Sequence, residues 1–300
     1  MKYKAYGIVF ESDLEFAELP QLTDEVCQVR LKLAELPVDL DLRSDAKWFA
    51  GDVDRFWFRI TAVAEFLIQQ GTEIIVQIYP DADLALVRLF AIGSAFSALM
   101  HQRGALVLHG AVLTDGAKTV LFTGESGAGK STMAAMLWKC GYKVVAEDVA
   151  VLYQHDDKWL VYPGYPFMRI CPDMFAALQL NTDPLELTKI FTHTEKYLLN
   201  LHDRFADVPV ALDEIVVLAT ADQPQYSSQT FAGNMEKFSI IANNTYRPHF
   251  LQSQGLVEQH FRQCASLVGQ LTVRKIVRPI DETNIYRACD FVESVVWNQI

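Results

Sequence analysis

Gly124-Glu125-Ser126-Gly127-Ala128-Gly129-Lys130-Ser131-Thr132 follows an apolar run, Thr119-Val120-Leu121-Phe122-Thr123, and precedes a helix-like run over 133–139. Strand, glycine loop and helix form the context in which a G-x-x-x-x-G-K-[ST] pattern cradles phosphate. Gly124, Gly127 and Gly129 let the backbone turn tightly and bring its N–H groups close to an anion. The helix N-terminus adds partial positive charge at the same point. In this pattern Lys130 reaches the β- and γ-phosphates, and the Ser131 hydroxyl ligates magnesium. Residues 124–132 are therefore the expected binding segment for a nucleoside triphosphate.

Upstream of the loop, A-L-V-L-H-G-A-V-L over 105–113 reads as a strand interrupted at His109-Gly110, with a turn at Asp115-Gly116. Downstream, Gly141 stops the helix. Then Y-K-V-V-A-E-D-V-A-V-L-Y over 142–153 is an apolar strand carrying two consecutive carboxylates, Glu147 and Asp148. Neighbours in a strand point to opposite faces, so both reach one site only at a bend or a strand end. A charge inside an apolar run is costly unless it is paired or metal-bound. These are the expected acidic partners of the loop: one carboxylate for magnesium, one to accept the proton of an attacking hydroxyl.

Over 108–150 the succession L-H-G-A-V-L-T-D-G, V-L-F-T-G-E-S-G-A-G-K-S-T, helix and G-Y-K-V-V-A-E-D resembles the catalytic domain of HPr kinase/phosphorylase. Three further segments, at 3–7, 86–104 and 245–264, resemble the HPr-kinase-like proteins of ribosomally made peptide clusters, the lasso-peptide kinases among them. The resemblance is weak over 150–240. It implies an α/β fold with a P-loop kinase core of the HPr kinase/phosphoenolpyruvate carboxykinase type, a mixed sheet with flanking helices. It also implies ATP and Mg2+ as cofactors and a serine of a peptide or protein as acceptor. At matching positions His109 would lie near the transferred group, and Lys130, Glu147 and Asp148 would be catalytic. Ser131 and Asp148 would be the metal ligands. Asp148 stands at the second acid of the family's pair, while Glu147 replaces the usual first aspartate, which leaves open which carboxylate is the base. Arg169, Lys196 and Arg247 are candidate contacts to phosphate or substrate. Two other classes stay open: a nucleotide-binding sensor or assembly factor with slow or no hydrolysis, and a small-molecule kinase.

A net charge of −11 on 300 residues argues against a nucleic-acid surface and against an anionic membrane. Cys27, Cys140, Cys171, Cys264 and Cys289 are far apart and contain no C-x-x-C pair, so their spacing suggests neither a zinc nor a disulfide framework. An odd count and a start without an apolar leader fit a reducing cytoplasm. Family members are often oligomeric, which makes a homo-oligomer a further expectation.

Residues 1–82 are expected to form a small antiparallel β-rich domain, with strands over 3–10, 26–33, 56–60, 64–68 and 73–79 and a hairpin at Gly71-Thr72. Trp48, Phe49, Phe56, Trp57 and Phe58 are its expected core. Residues 83–300 are expected to form the catalytic domain, opening with a buried helix over 81–103 that is apolar nearly all round. Further helices are expected over 175–180, 235–242, 253–267 and 282–296, and strands over 212–219 and 271–276.

Overall fold

The computed structural model describes residues 1–37, 40–42, 47–178, 188–189, 197–201, 204–280 and 284–298. It is a mixed α/β structure with several sheets and few helices. Two compact units divide it: Met1–Val107 with Thr245–Gln263, and Leu108–Asn244 with Cys264–Ile300. The expected break at 82/83 is not where they part, because the helical run Leu84–Gln102 and the late segment Thr245–Gln263 both belong to the first unit.

The first unit carries a seven-stranded sheet in the order Lys2–Ala5, Ile8–Ser12, Val29–Leu33, Glu73–Ile78, Ala64–Gln69, Arg55–Ile60, Phe49–Gly51. It is not wholly antiparallel as expected: Val29–Leu33 runs parallel to both of its neighbours. Parallel neighbours need a crossover of about a dozen residues or more, and residues 13–28 supply one. The Gly71 hairpin forms with Gln70 and Gly71 both at positive φ (50° and 63°), the turn that matches strand twist. Phe56, Trp57 and Phe58 are buried as expected, whereas Trp48 is 40% exposed.

The apolar run after Asp83 forms a helix whose middle, Ala91–Ala95, widens into a π-turn between Leu84–Phe90 and Phe96–Gln102. By length and composition this helix could cross a membrane, yet 61% of it is buried inside the structure. Phe96 meets Phe10 edge-on at 4.8 Å, the packing of a core helix. The helix expected over 253–267 forms as Val257–Val268, and a separate short helix, Pro248–Ser253, precedes it. Gly255 at φ 73° ends the first of them, a left-handed position that side chains disfavour.

The second unit is built on a six-stranded sheet in the order Lys143–Ala146, Ala111–Thr114, Thr119–Thr123, Glu214–Ala221, Thr272–Pro279, Ser227–Thr230. The three central strands, Thr119–Thr123, Glu214–Ala221 and Thr272–Pro279, are parallel. Helix Lys130–Lys139 packs against helix Ile285–Val296 through a core that includes Phe122, Met136, Leu137, Val216, Cys289 and Val292. Asn284 caps the latter helix by accepting from Tyr286 N at 3.0 Å and Arg287 N at 3.3 Å.

The apolar strand read over 142–153 is two strands. Lys143–Ala146 closes one edge of the six-stranded sheet, and Val149–His155 enters a separate four-stranded sheet. The break falls on Glu147-Asp148, where Asp148 takes φ 69° and Val149 N donates to Glu147 C=O at 2.8 Å. A three-residue turn with positive φ is a strained conformation, which aspartate tolerates better than most residues.

Candidate functional site

Strand Thr119–Thr123 runs straight into the glycine loop, and Lys130 opens the helix that follows. Gly124 has φ 137°, and a Cβ there would stand 2.3 Å from the Leu218 carbonyl oxygen. Only glycine lets the chain leave the strand this close to its parallel neighbour. Gly127 and Gly129 take φ 83° and 96° and complete the turn. The Lys130 ammonium arches back over the loop, donating to the carbonyls of Gly124 at 2.8 Å and Glu125 at 3.0 Å. Burial lowers its pKa, against the pull of Asp148 and Glu147.

The turn at Glu147-Asp148 puts both carboxylates beside the start of this helix. Ser131 Oγ donates to Glu147 Oε1 at 3.2 Å. Glu147 is deeply buried, its side chain 4% exposed. Burial raises its pKa, opposed by Arg169 and reinforced by the Asp148 charge. Arg169 bridges the pair, with Nε 3.3 Å from Glu147 Oε2 and Nη2 2.7 Å from Asp148 Oδ2. Burial alone would lower the arginine, but the two carboxylates outweigh it and hold the guanidinium charged. Arg169 is fixed in place by its strand, Phe167–Ile170, whose partner Tyr197–Asn200 pairs Leu198 opposite it.

His109 stands on the other side of Asp148. Its Nδ1 is 3.1 Å from the Asp148 carbonyl oxygen and 3.6 Å from Oδ1. A carbonyl only accepts, so Nδ1 carries the proton and Nε2 is the basic nitrogen. Burial lowers the His109 pKa against the Asp148 charge, with Lys130 and Arg169 lowering it further. Gly110 follows because a Cβ there would come within 2.4 Å of the Phe122 carbonyl.

Lys130, Ser131, Glu147, Asp148, Arg169 and His109 thus converge on the mouth of the glycine loop. Of the other two candidates, Arg247 belongs to the first unit, where its guanidinium lies over the Tyr246 and Phe250 rings, and Lys196 falls outside the described residues. The expected metal pair was Ser131 with Asp148. The geometry sets Glu147 against Ser131 and turns Asp148 toward Arg169 and His109.

Sequence reading missed the second layer. Asn244 accepts from His109 N at 2.7 Å through its carbonyl, and its side-chain oxygen lies 2.7 Å from Thr123 Oγ1. Thr123 Oγ1 also lies 2.7 Å from the His109 carbonyl oxygen. Only the helix-breaking run at 243–248 hinted at Asn244. A cavity of about 370 Å³ adjoins the loop. Gly127, Gly129 and Thr132 line it on one side, and Leu218, Ile276, Arg278 and Ile285 are among its other walls.

The residues fit a magnesium nucleotide. The glycine loop takes left-handed turns at Gly127 and Gly129 next to the helix N-terminus, and Ser131 with Glu147 offers hard oxygen donors. The cavity has the size and largely apolar lining of a small-molecule pocket.

No protein-family model and no curated protein matches the chain. Among solved structures, the HPr(Ser) kinase/phosphatase from Coxiella burnetii superposes with 64% of this chain and 94% of its own. The identity is 15% and the TM-score 0.32. That overlap is too loose to carry weight on fold or activity, so function rests on the side-chain geometry.

Proposed function

We propose that the protein is an ATP-dependent serine kinase of the HPr-kinase type, transferring the γ-phosphoryl group to a serine of a peptide or protein. Ribosomally made precursor peptides are the first substrates to test, and the cytoplasm is the setting in which such a kinase would work. The observation that carries the reading is the gathering of Ser131, Glu147, Asp148 and Arg169 at the start of the helix that follows the glycine loop.

In this reading the loop amides and Lys130 bind the phosphates. Ser131 and Glu147 would hold magnesium, which when bound would neutralise phosphate charge. The serine oxygen forms a bond to the γ-phosphorus as the bond from phosphorus to the β–γ bridging oxygen breaks, releasing ADP. The hydroxyl proton passes to Asp148, whose carboxylate lies beside His109 and Arg169. Arg169 lies between the two acids and offsets their mutual repulsion. His109 donates through Nδ1 to the Asp148 carbonyl and so helps hold the turn.

The test is labelled-phosphate transfer from ATP to a serine peptide, measured beside phosphate release to water. Lys130→Ala should abolish transfer while leaving the circular dichroism spectrum unchanged. Full transfer by that variant would remove the assignment. Phosphate release to water without transfer to any peptide or small molecule would favour a nucleotide-driven sensor.

A further inference from the structure

Two cysteines that are 149 residues apart in sequence come together behind the loop helix. Cys140 caps the C-terminal end of Lys130–Lys139, and Cys289 lies in the first half of Ile285–Val296. Their Sγ atoms are 4.0 Å apart. One turn along the second helix, Glu293 adds a carboxylate, and one ligand atom from each of the three lies within 4.8 Å of the others. Tyr142 donates its hydroxyl to Glu293. The Tyr142 ring packs on Trp297 at 4.5 Å, which fixes that phenol in position. Cys289 is buried, Cys140 exposed and Glu293 half-buried, so an ion could enter from one side.

We propose that Cys140, Cys289 and Glu293 form a binding site for a thiophilic divalent cation of the zinc class. Zn–S bonds of about 2.3 Å at tetrahedral angles separate two sulfurs by roughly 3.8 Å. The observed 4.0 Å is already close to that edge, whereas a disulfide would need the sulfurs to close to about 2.05 Å. A coordinated cation deprotonates a thiol outright. Binding would release the two thiol protons to solvent and leave the oxidation state of both sulfurs unchanged. Glu293 would be the oxygen ligand, oriented by Tyr142 in the manner of an outer-sphere partner. The site would tie the C-terminal end of the loop helix to helix Ile285–Val296, and both helices line the cavity beside the loop through Thr132, Ile285 and Ala288.

The probes are Cd2+ and Zn2+ added separately to the whole protein, kept reduced by a phosphine. A single equivalent of Cd2+ should produce thiolate-to-metal charge-transfer absorption, and Zn2+ should displace it. Cys140→Ser and Cys289→Ser should lose the absorption. Tyr142→Phe should weaken binding about tenfold. Cys27→Ser and Cys171→Ser should retain the absorption, as should Lys130→Ala, which makes this test independent of the kinase assignment. Cys140 is exposed, so Cys140→Ser will fold even if Cys289→Ser does not. Absorption that persists in Cys140→Ser overturns the proposal. So does its absence from the wild type, or a peroxide-formed disulfide in a protein that takes up neither ion.

Discussion

Arg169 Nη2 sits 2.7 Å from Asp148 Oδ2, and the same guanidinium reaches Glu147 through Nε at 3.3 Å. One cation therefore holds two adjacent carboxylates that would otherwise repel each other in a dry place. The arginine side chain is 16% exposed and that of Glu147 is 4% exposed. Breaking a buried pair by removing one partner costs about 3–5 kcal/mol, because the other charge is left uncompensated. Arg169→Met should lose about that much in urea unfolding at neutral pH. The deficit should shrink in acid. A carboxyl whose folded pKa is raised holds a proton that the unfolded chain releases, so its penalty grows as pH rises above the ordinary value of 4.5. Removing the arginine raises Glu147 further, and an Arg169→Met deficit that stayed constant with pH would contradict this account.

Asp148 has a backbone task as well as a side-chain one. At φ 69° it closes the turn that divides Lys143–Ala146 from Val149–His155. Asparagine tolerates that conformation, and a β-branched residue does not. Asp148→Asn should therefore keep the turn, give up only the stability tied to its ion pair with Arg169, and lose about a hundredfold or more in the rate of phosphoryl transfer, as expected for a lost general base. Asp148→Val should lose activity and about a further 1–3 kcal/mol of stability through the strained backbone. Melting curves and single-turnover transfer, measured on both variants, separate the two tasks. If Asp148→Asn kept its rate and Glu147→Gln lost it, the proton acceptor would be Glu147.

The glycine loop was legible in the sequence because its signals are local. Three glycines, a lysine and a serine sit within eight residues of one another, and the φ values at Gly124, Gly127 and Gly129 follow from residue type. The acid pair was legible as chemistry but not as geometry. Nothing local announces that the strand over 142–153 changes sheets at Asp148, because both halves are equally apolar. The pairing of Glu147 with Arg169, 22 residues on, depends on a strand placed by its own antiparallel partner. The parallel pairings of Val29–Leu33 were hidden for the same reason, since a strand's apolar pattern does not record the direction of its neighbour. Cys140 and Cys289 are the extreme case, brought together only by the packing of two helices.

His101, on helix Phe96–Gln102 of the first unit, is 2% exposed, and burial lowers its pKa to about 4 from 6.5. Between those values the unfolded chain takes up a proton that the folded protein refuses. The stability tied to this group is complete above pH 6.5 and drains away as pH falls toward 4. A shift of this size corresponds to about 3 kcal/mol across the window. Urea unfolding of the wild type should show that fall, and His101→Gln should flatten it by about the same amount. Equal slopes in the two proteins would place the acid sensitivity elsewhere.

The cavity of about 370 Å³ beside the glycine loop offers the last prediction, because it separates nucleoside binding from phosphate chemistry. Ala288 lines it from helix Ile285–Val296, on a face reached by none of the groups around Asp148 that are assigned to transfer. Ala288→Phe would place a ring in space that Leu218, Ile276 and Met133 now border. A nucleoside seated there would be displaced, while Lys130, Ser131 and the acids would keep their positions. The Michaelis constant for ATP should rise about tenfold or more, equivalent to about 1.4 kcal/mol of lost binding. The turnover number at saturating ATP should hold within about twofold, the pattern of lost uniform binding. Because the ring fills existing space, the melting temperature should not fall. If ATP bound to Ala288→Phe with unchanged affinity, the base and sugar would have to lie outside this cavity. The glycine loop would then be approached from its other side, past Arg169 and His109.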